Sequence, residues 1–243
     1  MSGDPLEPTG RPRGYDLEVR HLKERAVHMG EWALGMVHDG WRAYEASDLA
    51  GAQGVLDRNT ELDRLDEEME HASIAFFVLR QPAAVDLRTA AALLKTTTHM
   101  DRIGRLGLDV ARLVNPKAAP ESPALKALLQ RMDDTVESMV RQALDALLKD
   151  DVDLARQLFH RDDEVDRMHR HANAMIVSEL SQATPAAARL ASDLLIARHF
   201  ERIADNACKV GEKTIYALTG QRRSEFLPRR HIRPYVLELD RDT

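Results

Sequence analysis

A chain of 243 residues can bury a sizeable core and is long enough for one or two ordinary domains. Its composition is 44% hydrophobic and 30% charged with only 5% aromatic residues, the usage of helical bundles and not of β-sandwiches, so an all-α fold is expected. A net charge of −6 with the two signs interspersed lacks the basic footprint that neutralises nucleic-acid phosphates, and nucleic acid is set aside as a partner. The one cysteine, Cys208, rules out an intramolecular disulfide and a thiolate zinc cage and reads as a small core residue.

In chain order, residues 1–14 carry Pro5, Pro8, Gly10 and Pro12 and read as a flexible lead-in. They contain no secretory h-region, and no stretch approaches the roughly 18 apolar residues of a membrane span, so a cytoplasmic location is expected. From Tyr15, Leu22, Ala26, Met29, Ala33, Met36 and Tyr44 recur at threes and fours, the stripe of an amphipathic helix ending near Ala46. Ser47 and Asp48 are ready caps for a second helix from Leu49 to Arg80, which Pro82 ends. A third runs from Ala84 to Leu113.

Residues 116–121, within a stretch holding three prolines, form a linker between a first bundle at 15–115 and a second at 122–219. Ser122 and Pro123 supply a cap and a first-turn proline for the fourth helix, with Leu125, Leu128, Met132, Val136, Met139, Ala143 and Leu147 as its stripe. The fifth helix spans about Val152 to Ser181, and Thr184 with Pro185 opens the sixth, which reaches Thr219. Residues 220–243 read as a mobile tail.

The two halves repeat. Residues 48–50 match 153–155, 61–65 match 164–168 and 99–103 match 199–203, at offsets of 105, 103 and 100. Two tandem three-helix bundles related by duplication follow. Folding the fifth and sixth helices about residues 183 and 184 sets Asp166 opposite Glu201 and Asp163 opposite Asp205, so four carboxylates converge on one face. Either arginines such as Arg167, Arg198 and Arg202 neutralise them, or a hard cation does, since all-oxygen sites suit magnesium, manganese, calcium or iron. In the first bundle the same construction pairs Asp63 with Asp101 and Thr60 with Arg105, a hydroxyl and a guanidinium where the second bundle has acids. Arg105 can lie across Asp101 or Asp109, four residues to either side.

The stretches at 80–88, 99–104, 162–166 and 201–206, with acid-Arg-Ile repeated at 101–103 and 201–203, resemble the two halves of the PhoU family of phosphate-transport accessory proteins over roughly residues 15–219. That resemblance implies a non-catalytic regulator linking a phosphate ABC transporter to a sensor histidine kinase, reaching the membrane only through its partners, and compatible with a homodimer. It also implies an acid-x-x-x-Asp metal motif in each repeat. Glu201 and Asp205 match that motif in full, with Asp163 and Asp166 beside them, as ligands for iron, manganese or magnesium. Asp101 and Asp63 match in the first bundle, where Arg105 stands in place of the family's Asp. The alternative from another class, a ferritin-like di-metal oxidase, draws on Glu18 with His21 and Glu68 with His71, but the hairpin geometry places those motifs about 16 Å apart along the axis.

Overall fold

Helix ends in this chain sit where a cap or a left-handed residue satisfies the backbone groups that a helix leaves over. The computed structural model describes residues 13–226 apart from positions 81, 83 and 183. It consists of α1 (Arg13–Ala46), α2 (Leu49–Asp57), α3 (Asn59–Arg80), α4 (Ala84–Ala111), α5 (Pro123–Lys149), α6 (Val152–Leu180), α7 (Ala187–Thr219) and the short α8 (Arg223–Phe226), with no strand among the described residues. Ser47 after α1 and Asp150 after α5 both adopt positive φ, at 54° and 56°. Asp48 then accepts a hydrogen bond from the Ala50 amide and Asp151 from the Leu154 amide, capping α2 and α6. The two turns are therefore the same turn at an offset of 103, which corrects the 48–50 to 153–155 match by two residues.

The expected second helix is interrupted at Arg58. The Arg58 amide bonds to the carbonyls of both Leu56 and Val55, a tightened turn, while the Arg58 carbonyl accepts from the Trp32 indole at 3.4 Å. The Arg58 guanidinium returns to Asp39 at 2.7 Å. Its counterpart α6 runs unbroken for 29 residues. At the other junctions Ser122 caps α5 with Pro123 in the first turn, whereas Thr184 accepts from the Ala186 amide one turn before α7 begins.

Each bundle runs up, down and up. Gly104 of α4 lies against Leu62 and Ala33, and Gly107 against Met36 and Val37, so α1 and α4 are parallel with α3 antiparallel beside them. In the second bundle Gly211 meets Leu158 and Ala155, and α6 is antiparallel to α7. The bundles do not keep separate cores. Across their junction Lys23 pairs with Asp150, His38 with Glu137, Trp41 with Gln130 and Glu45 with Lys126, numbers rising on α1 as they fall on α5. His99 of α4 bonds Asn206 of α7 at 3.1 Å. Trp41 meets Phe200 edge-on at 5.5 Å, inside one apolar cluster that reaches from Leu22 to Ile215. The four helices α1, α4, α5 and α7 thus form a shared centre about a pseudo-twofold axis, with α3 and α6 outside.

Gly107, with Gly40 facing it from α1, permits a close approach of backbones in that centre. A Cβ there would fall 2.6 Å from the Val37 nitrogen and 2.7 Å from the Met36 carbonyl, backbone atoms that cannot swing aside. Gly107→Ala is expected to force α1 from α4 and cost about 1–3 kcal/mol. Urea denaturation checks this, and an alanine chain as stable as the parent would refute so tight a crossing.

After Gly220, at φ 75°, the chain turns back. Of the tail expected at 220–243, residues 223–226 form α8, with Phe226 against Phe159 at 5.7 Å and Arg223 bonded to Glu212 at 2.6 Å. Residues 227–243, and the lead-in through residue 12, lie outside the described residues.

Candidate functional site

The two copies of the acid-Arg-Ile helix carry the same pattern of exposure. Residues 101–110 of α4 and 201–210 of α7 alternate between buried, half-buried and exposed in an identical order. Asp101 and Glu201 are half-buried, Arg105 and Asp205 exposed. The chemistry then diverges according to what sits at the fifth position.

In the first bundle Arg105 donates through Nε to Asp101 at 2.9 Å and through an Nη to Asp63 of α3 at 2.7 Å. A third contact reaches the Asn59 side-chain oxygen at 3.3 Å, and Asn59 in turn donates to Asp63 at 2.9 Å. One guanidinium therefore bridges the acids of both helices. Asp101 Oδ1 is buried without a hydrogen bond. Asp66, one turn further along α3, is held above the usual carboxylate range by burial and by Asp101. An internal cation thus stands at the position where the family motif implies a second acid, and it offsets part of the charge of this face.

In the second bundle Asp205 stands in the place of Arg105. Glu201 is held above the usual carboxylate range, first by burial and then by the charges of Asp205 and Asp166, with Arg198 opposing. Arg198 approaches Glu201 Oε2 to 3.0 Å, but off the hydrogen-bond axis, and that buried oxygen accepts no hydrogen bond. Asp166, half-buried on α6, faces Glu201 as expected. Asp163 is exposed, whereas its neighbour Asp162 is only 4% exposed.

The inward register on the outer helices thus starts one residue earlier than the hairpin construction places it. Arg105 meets Asn59, not Thr60, and Asn59 corresponds to Asp162 at the offset of 103. Height along a hairpin fixes which residues are level and says nothing of which way they point. The signal that finds Asp162 is its spacing of four from Asp166, the same spacing that joins Glu201 to Asp205. Asp162, Asp166, Glu201 and Asp205 are two such pairs on facing helices. Among the described residues no three His, Cys, Asp or Glu side chains close to metal-binding geometry, so an ion would have to draw these carboxylates together.

A PhoU-domain profile matches residues 26–114 and again 129–214, one match per repeat. The chain belongs to the PhoU family. A curated relative from Caulobacter vibrioides, named as a phosphate-specific transport system accessory protein PhoU homolog, is 32% identical over 222 residues, covering 89% of this chain and 95% of the relative. A relative of the same name from Clostridium acetobutylicum is 26% identical over 208 residues, covering 85% and 95%. The crystal structure of PhoU from Pseudomonas aeruginosa superposes with a TM-score of 0.80 at 26% identity, covering 85% of this chain and all of that one.

Other residues of interest resolve as packing. Glu18 accepts from Arg80 and Glu68 from Arg64, so the acids of both Glu-x-x-His pairs are engaged by arginines, and although His21 and Glu68 line one concavity, no metal-competent group of three forms there among the described residues. His99 and His199 are half-buried, and burial lowers the affinity of each for a proton. Cys208 is 3% exposed beside the Leu158 carbonyl, and burial with nearby Asp162, Asp205 and Glu212 pushes its thiol up, away from reactivity.

Proposed function

We propose that this chain is a cytoplasmic, non-catalytic regulatory adaptor of phosphate uptake that couples a phosphate ABC transporter to a sensor histidine kinase and holds the starvation response off when phosphate is abundant. Membership of the PhoU family and the names of the similar proteins support the reading at the level of phosphate-transport accessory function. No helix among the described residues is long and apolar enough to cross a membrane.

The observation that carries the site is the contrast at the fifth position: Arg105 bridges Asp101 to Asp63 in the first bundle, whereas the second has Asp205 there, beside a Glu201 whose buried Oε2 accepts no hydrogen bond. Asp162, Asp166, Glu201 and Asp205 are hard oxygen donors that fit iron, manganese or magnesium. A bound cation there would neutralise the face and fix α6 against α7. Calorimetric titration of metal-free protein with manganese is expected to give one site per chain, abolished in Glu201→Ala with Asp205→Ala. The affinity should rise with pH through the raised titration of Glu201, because the cation competes with a proton there. Unchanged binding in the double variant would exclude this site.

For the adaptor role, retention of transporter or kinase subunits by the immobilised full chain, compared between membranes from phosphate-rich and phosphate-starved cells, is the direct test. Failure to retain either in both states would refute it.

A further inference from the structure

Cations gather at the C-terminal end of α7, beyond the acidic face. A pocket of about 350 Å3 opens between α4 and the end of α7, lined by Ala91, Ala92 and Lys95 from α4, Lys213 and Tyr216 from α7, and Arg222 beyond it. Arg223 and Glu212 complete the wall.

Glu212 is spoken for. It is 9% exposed, accepts from Arg223 at 2.6 Å and pairs with Lys209 at 3.1 Å. Among the described residues no acid lies within ion-pair distance of Lys95, Lys213 or Arg222, although most other surface cations of this acidic chain have a carboxylate partner. Three unpaired like charges around one concavity repel one another, and the backbone is built to bring them together. Gly220 turns at φ 75°, and Arg88 donates to the Ala217 carbonyl at 3.0 Å, tying the end of α7 to α4 before the chain turns back toward α6. Phe226 on Phe159 then anchors the returning segment. The positive field extends along the seam, where Arg102, Lys213 and Lys209 all oppose protonation of His99.

We propose that this pocket binds a soluble oligophosphate anion, with Lys95, Lys213 and Arg222 taking successive phosphate groups and Ala91, Ala92 and Tyr216 forming an apolar wall for whatever the phosphates are attached to. The volume lies within the roughly 300–1,000 Å3 of small-molecule sites, and lysine and arginine are the side chains that grip phosphate oxygens through charge-assisted bonds. A concave site between two helices suits a chain of phosphates better than the flat face of a bilayer. The inference stands apart from the adaptor reading and from the acidic face.

A polyanion has no general attraction to a protein of net charge −6, which makes binding diagnostic. Calorimetric titration of the full chain with inorganic tripolyphosphate at low ionic strength is expected to give a single site. Lys95→Glu with Arg222→Glu, both exposed positions whose exchange leaves the core untouched, should weaken it by about tenfold or more. The same charge reversal at Lys117 and Arg131, exposed and distant, should leave it within about twofold. Equal losses in both double variants, or no binding by the parent chain, would overturn the proposal. So would binding of phosphatidylglycerol vesicles through these same residues when tripolyphosphate does not bind, since that result would assign the patch to a lipid surface.

Discussion

At pH 9 the Asp133→Asn chain is expected to be more stable than the parent by on the order of 4 kcal/mol, and near pH 4 the two should unfold alike. Asp133 of α5 is 3% exposed, and its Oδ1 is buried without a hydrogen bond. Burial, with the charges of Glu137, Asp134 and Glu45, pushes its carboxyl up to about 8. The neighbours each have a partner of their own: Glu137 has His38 and Arg141, Asp134 has Gln130, and Glu45 has Lys126. None of those donors is left for Asp133.

The sign follows from the proton. The unfolded chain releases it near pH 4, while the folded chain holds it to about 8. Stability from this group is therefore complete below the unfolded value and is lost as pH rises through the folded one. Asparagine keeps the shape and does not titrate, so the loss disappears. Urea denaturation of both chains between pH 4 and 9 measures it, and a difference that does not grow with pH would refute the assignment.

Arg189→Met should cost about 3–5 kcal/mol, because it strands two carboxylates in the interior. Arg189 near the start of α7 pairs with Glu121 of the linker at 3.0 Å and lies 3.5 Å from Asp193, and these side chains are 7%, 3% and 0% exposed. Its guanidinium stacks 3.8 Å above the Tyr44 ring and bonds the Tyr44 carbonyl at 3.3 Å, while the Tyr44 hydroxyl donates to Asp193 at 2.7 Å. The end of α1, the linker and α7 are thus tied at one point. Adding Glu121→Gln and Asp193→Asn should recover much of the loss, since the stranded charges go with them. Burial already raises Asp193 to about 6, so the single variant should suffer more at pH 8, where Asp193 is ionised, than at pH 5, where protonation relieves it. Equal losses at the two pH values would argue that the cost is cation–π packing over Tyr44 alone.

Neither group announces itself in the sequence. The parts that could be read there were local ones: the stripes, the prolines, the caps at Asp48 and Ser122, and the duplication that gives each bundle three helices. Asp133 lies on an otherwise apolar face beside Met132 and Val136, and only the tertiary fold shows that acids, not cations, surround it. Arg189 has no local signal of its burial, and only the tertiary fold brings the linker's Glu121 over it. The shared centre of α1, α4, α5 and α7 was equally hidden, because periodicity reports that a helix has a buried face and not which helix covers it. At the acidic face the hairpin heights chose the exposed Asp163 where the buried neighbour is Asp162, for want of an azimuth. The break at Arg58 has a tertiary cause as well, in the Trp32 indole that takes its carbonyl.

Arg105 gives the duplication a consequence for dose. A cation tethered to the backbone is present at an effective concentration that no buffer changes, so the face it spans is insensitive to ion supply and to chelators. On the proposal that the other face takes up a free cation, the two halves would not titrate in concert. If the second face takes a cation as proposed, the response of this chain to the free ion would be that of one independent port: a plain hyperbola, graded over about two decades of ion concentration, with no threshold. A sharp threshold would have to come from the assembly of several chains or from the partners.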